Sequence, residues 1–204
     1  MLAFHHCLRN YLHFHSSRNF NVLSYEFQQQ IAAKLGYKDS QHGEAAENLM
    51  RDYFRNAAEI SRRAAGWEEA IVGMPNRILI ESDFADPFEM IDAFAEAHRR
   101  KVKLDAQTLN RIRRRVNDVG DALANHPRAG GAVLEMMKDR RGIYETLLVM
   151  HEVGLLGSIF PDFEEIRCRV IRDFFHKYTV DEHSLIAIRN IEELPPKHRF
   201  AMIL

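Results

Sequence analysis

The sequence predicts an all-α fold, a helical bundle, on three observations. Met50, Tyr53, Ala57, Ile60 and Ala64 recur at alternating intervals of three and four through EAAENLMRDYFRNAAEISRRAA (44–65), which places them on one stripe of an amphipathic helix. The same rhythm returns in LDAQTLNRIRRRVNDVGDALANH as Leu109, Ile112, Val116, Val119 and Leu123. Only GWEEAIVGMPNRILIESDF (66–84) departs from it: Gly66, Gly73, Pro75 and Asn76 break helical continuity, and RILIESDF reads as one short extended piece. A single such piece is too little for a sheet, so it reads as a connector between two helical layers.

The remaining elements follow from local signals. FNVLSYEFQQQIAAKL predicts a helix over about 20–35 with Gly36 to close it, and PFEMIDAFAEAHR one over 87–99. Asp86 and Pro87 supply that second helix with an N-cap and a first-turn proline. IYETLLVMHEV predicts a helix over 143–153, closed by Gly154. HPRAGG (126–131) and FPDF (160–163) read as further breaks. Near the C-terminus, Thr179 and Glu182 match a T-x-x-E capping box, so a helix should start near Val180.

Composition narrows the functions open to such a chain. Its 204 residues are enough for one large or two small helical domains. With 28 Lys plus Arg against 29 Asp plus Glu, the net charge of −1 gives no global field for nucleic acid or a membrane surface. Cys7 and Cys168 lie far apart outside any CxxC spacing and read as ordinary thiols of a reducing compartment. The N-terminal MLAFHHCLRNYLHFHSS is too rich in His and Arg for a signal peptide, and no stretch approaches the roughly 20 apolar residues of a membrane span. A soluble, cytoplasmic protein is expected.

Chemistry-bearing residues are sparse. His5, His6, His13 and His15 cluster, and His6 and His13 can share a helix face, but nothing fixes a third ligand. The run RIRRR (111–115) lacks interleaved aromatics, and Ile112 belongs to the core stripe, so it reads as a solvated helix face rather than a phosphate strip. No phosphate loop, GxSxG, HExxH or paired-Cys zinc signature occurs. Around RDFFHKYTVDEHSL (172–185), a 100° helical projection puts Val180, Ala187, Ile191 and Leu194 on one face with His183 at its edge and Glu182 pointing away. An inward imidazole there suits either a metal ligand or a satisfied core histidine. Asp173, His176 and Asp181 are not placed to converge with it.

Longer stretches resemble one family. GIYETLLVMHEVGLLGSIFPDFEEIRCRVIRDFFHKYTVDEHSLIAIRNI (142–191) is similar to the bifunctional PII uridylyltransferase and uridylyl-removing enzymes of bacterial nitrogen sensing, most densely in DFFHKYTVDEH (173–183). LRNYLHFHSSRNFNVLSYEFQQQIAAKLGY (8–37) and AENLMRDYFRNAAEISRRA (46–64) resemble the helical region after that family's nucleotidyltransferase domain. DPFEMIDAFAEAH (86–98) resembles the approach to its HD phosphohydrolase domain, and the connector at 65–85 is shorter than the family's usual insertion.

The resemblance implies three segments: a helical linker region over 1–85, a helical region leading to the HD domain over 86–170, and the first helices of an HD-type domain over 171–204. It makes His183 the first HD-type metal ligand of an incomplete site, because the family's HD centre also needs a His-Asp pair and a later Asp around a divalent metal such as Mg²⁺. HRFAMIL ends the sequence before such a pair, and His198 is followed by Arg199. The transferase's Gly-Ser loop and paired aspartates do not occur either. The expectation is a fragment of a PII-modifying enzyme, inactive alone and binding no metal alone, whose partners are PII and the missing catalytic domains supplied in trans. The rival expectation is a stand-alone helical module that binds PII-like proteins or self-associates. The last helix would expose Ile186, Ile188 or Ile191 unless something covers them, and exchange should be faster after about residue 176 than in 44–65.

Overall fold

The computed structural model describes residues 2–15, 22–41, 43–72, 76–119, 122–124, 126–171 and 178–194. Its elements are α1 (Leu2–His15), α2 (Tyr25–Leu35), α3 (Ala45–Val72), β1 (Arg77–Ile78), α4 (Phe88–Arg100), β2 (Lys103–Leu104), α5 (Ala106–Val119), α6 (Ala129–Lys138), α7 (Ile143–Glu152), α8 (Leu155–Ile159), α9 (Pro161–Glu165) and α10 (Val180–Glu193). The fold is all-α, as the periodicity predicts.

Helix ends follow local chemistry. Ser24 Oγ accepts from the Phe27 N–H at the start of α2, and Gly36 (φ 80°) ends it while the Tyr37 N–H donates to the Ala32 carbonyl. At α4, Asp86 Oδ1 accepts from the Phe88 N–H at 2.9 Å, the cap read from the sequence. Lys101, not a glycine, takes the left-handed position after α4 (φ 55°), and its Nζ is anchored on Asp139 Oδ2 at 2.8 Å and the Arg141 carbonyl at 2.7 Å.

Three departures have physical causes. α3 continues through Gly66 to Val72, because one interior glycine costs a helix only about 1 kcal/mol. HPRAGG does not remain a break: α6 begins at Ala129, and burial of Ala129, Val133 and Met136 outweighs the glycines in its first turn. The 66–84 segment contributes β1, which pairs in parallel with β2 in the register Arg77↔Lys103 and Ile78↔Leu104. Half-buried Ile78 and Ile80 hold this connector to the core, and Thr108 Oγ1 accepts from the Ile80 N–H.

The chain divides into two compact units, 1–68 with 167–181 and 69–166 with 182–204. The first unit buries Leu8 and Leu12 of α1, Ile31 and Ala32 of α2, and Leu49 of α3. The second has a larger core that includes Ile91 and Phe94 of α4, Ile112 of α5, Met150 of α7, Leu155 of α8 and Leu185 of α10.

Candidate functional site

The GIYETLLVMHEVGLLGSIFPDF motif is a folding unit. Met150 is fully buried, and His151 meets Phe163 edge-on with centroids 5.3 Å apart. Gly154 adopts φ 86° between α7 and α8, a conformation that disfavours residues with a Cβ. A Cβ on Gly157 would stand 3.0 Å from the Glu164 Cβ and crowd its carboxylate, so the close approach of α8 and α9 favours glycine there. Pro161 opens α9 at its first turn, where no donor is lost. Packing thus accounts for the motif's Gly, Pro and aromatic positions.

α10 begins at Val180, as the T-x-x-E pattern predicts, and the Val180 N–H donates to the Arg169 carbonyl at 2.9 Å. Its inward stripe is not the one projected from the sequence. Asp181 and Leu185 are buried and Ile188 packs on the core, whereas Ala187 is exposed and Ile191 is 41% exposed. The period is helical but its phase is turned by about one residue, or roughly 100°. Two polar contacts fix that phase: the Glu192 carboxylate accepts from the Gly142 and Tyr144 N–H groups at the start of α7, and the Arg189 guanidinium lies over the Tyr144 ring at 5.4 Å. Ile188 is therefore covered, while Ile191 stays exposed.

His183 consequently stands on the exposed side of α10, and its inward placement in the sequence reading is corrected. Among the described residues no group of three His, Cys, Asp or Glu side chains is placed to hold a metal ion. The described residues therefore do not fit a divalent metal on their own, and no chemical step is assigned through one. Asp173 and His176 lie outside the described residues.

Other candidates resolve into packing. On α1, His5 packs edge-on against Tyr53 at 5.0 Å, His15 stacks on Tyr11 at 4.0 Å, and His6 is exposed. The RIRRR run is more than a solvated face: Arg111 Nη1 donates to the Ile80 carbonyl, and Arg115 donates to those of Phe84 and Ala85. Those arginines brace the connector. Both cysteines are free thiols, Cys7 exposed and Cys168 buried.

A groove of about 570 Å³ lies between α4 and α7, with Phe94, Ala97, Leu148 and Val149 in its walls. Sequence reasoning missed the buried His98 beside it, whose Nδ1 and Nε2 meet Thr146 Oγ1 and the Asp139 carbonyl, each at 2.9 Å. The apolar context of DAFAEAH hides that histidine, and its partners lie more than forty positions away in sequence. Hydrogen bonding to Lys101 first, opposed by partial desolvation, then holds the Asp139 carboxyl below the usual carboxylate range.

Such an arrangement defines an all-helical scaffold whose motif residues chiefly set helix packing. Residues 1–66 match the family model described as GlnD PII-uridylyltransferase, and residues 81–159 match that described as uridylyltransferase GlnD third domain. The chain belongs to the GlnD uridylyltransferase family. It is 27% identical to a bifunctional uridylyltransferase/uridylyl-removing enzyme of Caulobacter vibrioides over 94% of this chain and 24% of that protein. It is 28% identical to the enzymes of the same name from Zymomonas mobilis (89% of this chain, 22% of that protein) and Azotobacter vinelandii (92% and 24%). The chain thus spans about a quarter of the length of these curated relatives. No solved structure gives a significant match. Among the described residues, no helix is long and apolar enough to cross a membrane.

Proposed function

We propose that these 204 residues serve as a helical segment of a bifunctional enzyme that adds and removes uridylyl groups on a PII regulatory protein. The observation that carries this reading is the similarity to enzymes of that name along 89–94% of the chain. Its role is to set the spacing between two catalytic centres and to present His183 as the first HD-type ligand. The exposed side of α10 is compatible with that role, since a ligand shared with later residues must face away from its own helix's packing. A divalent ion such as Mg²⁺ would be held only with a His-Asp pair and a further Asp, which these residues do not contain.

The 204 residues alone accordingly neither transfer nor remove uridylyl groups. The test is metal-dependent release of UMP from uridylylated PII by the purified chain, beside His183→Ala. No turnover by either is expected. Turnover that disappears in His183→Ala would overturn the claim of inactivity and mean that the chain, or a second copy of it, completes the centre.

A further inference from the structure

On α7 the apolar residues do not stop at the face that enters the core. Ile143, Leu147 and Met150 are buried, and half-buried Leu148 and Val149 carry the apolar surface round to the groove against α4. Glu145 and Glu152 are the exposed positions of this helix. A helix with so little polar surface belongs between layers rather than at the edge of a bundle.

The groove, of about 570 Å³, lies wholly within the second unit and has a floor and two walls. α4 packs against both α7 and β2, so Phe94 and Ala97 of α4 form the floor, α7 one wall and the β1–β2 pair the other. The walls differ in sign. Glu145 and Glu152 stand two turns apart on α7, about 10 Å of rise. On the other wall are Lys103, exposed on β2, and Arg77 of β1, whose Nη1 donates to the Leu104 carbonyl at 3.1 Å. Lys101 adds little to that field, because Asp139 and the Arg141 carbonyl hold its Nζ. The charge that meets an occupant is therefore acidic along one wall and basic along the other.

An apolar trough between charged flanks is the receiving half of a helix–helix contact: a ridge of residues at i, i+3 or i+4, and i+7 fills the trough, and charges beside the ridge meet the walls. A second copy does not supply that ridge. Each described helix with an exposed large apolar side chain has a single one, Phe14 on α1, Leu35 on α2, Leu134 on α6 and Ile191 on α10. Two copies of a concave groove cannot fill each other either. We infer that the groove between α4 and α7 is a docking site for an amphipathic helix of a partner protein, with an apolar ridge, a basic flank toward Glu145 and Glu152, and an acidic flank toward Lys103 and Arg77. Leu148 and Val149 supply the apolar contact, and the opposed signs of the walls select the partner, since like charges brought together are rejected.

The experiment is fluorescence anisotropy of the whole chain with three labelled helical peptides of about 18 residues that share one leucine ridge. One carries Lys on one flank and Glu on the other, one Lys on both, and one Glu on both. The mixed peptide is expected to bind about tenfold more tightly than either uniform one. Glu145→Lys combined with Glu152→Lys makes both walls basic, and the preference is expected to pass to the all-Glu peptide. Leu148→Ser should weaken the mixed peptide about tenfold, and Leu134→Ser, on exposed α6 surface, should not. Melting of the unbound variants separates lost docking from lost folding, and the two glutamate positions, both exposed, carry the test if Leu148→Ser unfolds. Equal binding of the three peptides, absence of saturable binding, or undiminished binding of a mixed peptide with proline at its centre overturns the inference. Dimerisation of the chain without peptide that the double lysine variant abolishes would assign the groove to a second copy, and overturns it too.

Discussion

The two compact units reach a folded state by different means. The second buries a broad apolar core, with side chains as large as Phe84, Met90, Ile91, Met150 and Leu155 almost wholly enclosed. In the first, a small set of aliphatic residues is supplemented by polar ties: Tyr37 to Asp52, Tyr25 to Glu44 at 2.9 Å, and Arg51 to the Arg167 carbonyl. Burial and its hydrogen bond to Asp52 raise the Tyr37 hydroxyl well above its ordinary value, so that tie persists through the neutral range. The lesson is that a unit short of apolar area draws specificity from directional bonds, each of modest net worth. A broad core has redundancy where such ties have none.

Core truncation should separate the units most strongly. Ile91→Ala is expected to cost about 2–5 kcal/mol and to speed exchange across α4 and α7, as does any large cavity in a close-packed interior. Leu49→Ala should cost a similar amount but release protection in α1, α2 and α3 while leaving α7 protected. Exchange mass spectrometry of both variants checks this, and loss of α7 protection in Leu49→Ala would break the comparison.

A smaller effect is expected from the cap that docks α10. Glu192→Ala leaves the Gly142 and Tyr144 N–H groups without their carboxylate and should cost about 1.5–3 kcal/mol. Faster exchange over 185–194, with α4 unchanged, is the expected signature. Unaltered exchange there would mean that Leu185 and Ile188 suffice to hold the helix.

The smallest effect is confined to acid. The Asp139 carboxyl is depressed in the folded chain by its bond to Lys101, so the stability it contributes is present above the ordinary value of 3.8 and is lost as pH falls through its lower folded value. Lys101→Met should therefore flatten the dependence of urea stability on pH below about 4, leaving the neutral region changed only by the lost ion pair. An unchanged acid slope would remove Lys101 as the cause.

Particular residues show how far the sequence could be read. The stripe of Ile112 and Val116, the cap at Asp86, the close at Gly36 and the start of α10 at Val180 all depend on neighbours within a turn or two, and all are found. The inward face of α10 was misjudged because the projection followed Ile191 and Leu194, while the actual phase is chosen by Glu192 reaching α7, fifty positions earlier in the chain. His183 was consequently placed inward. The tie from Arg51 Nε to the Arg167 carbonyl was illegible for the same reason, its partners lying more than a hundred positions apart.

By itself the sequence determined the all-α class, the principal helices and the family, since helix period, capping and dense motifs are local or collinear properties. Tertiary structure alone decided which face of α10 turns inward, which arginines brace carbonyls, and that β1 finds β2. Those outcomes depend on partners far away along the chain, and burial strengthens the electrostatic and hydrogen-bonding preferences that select among helix phases of similar apolar content.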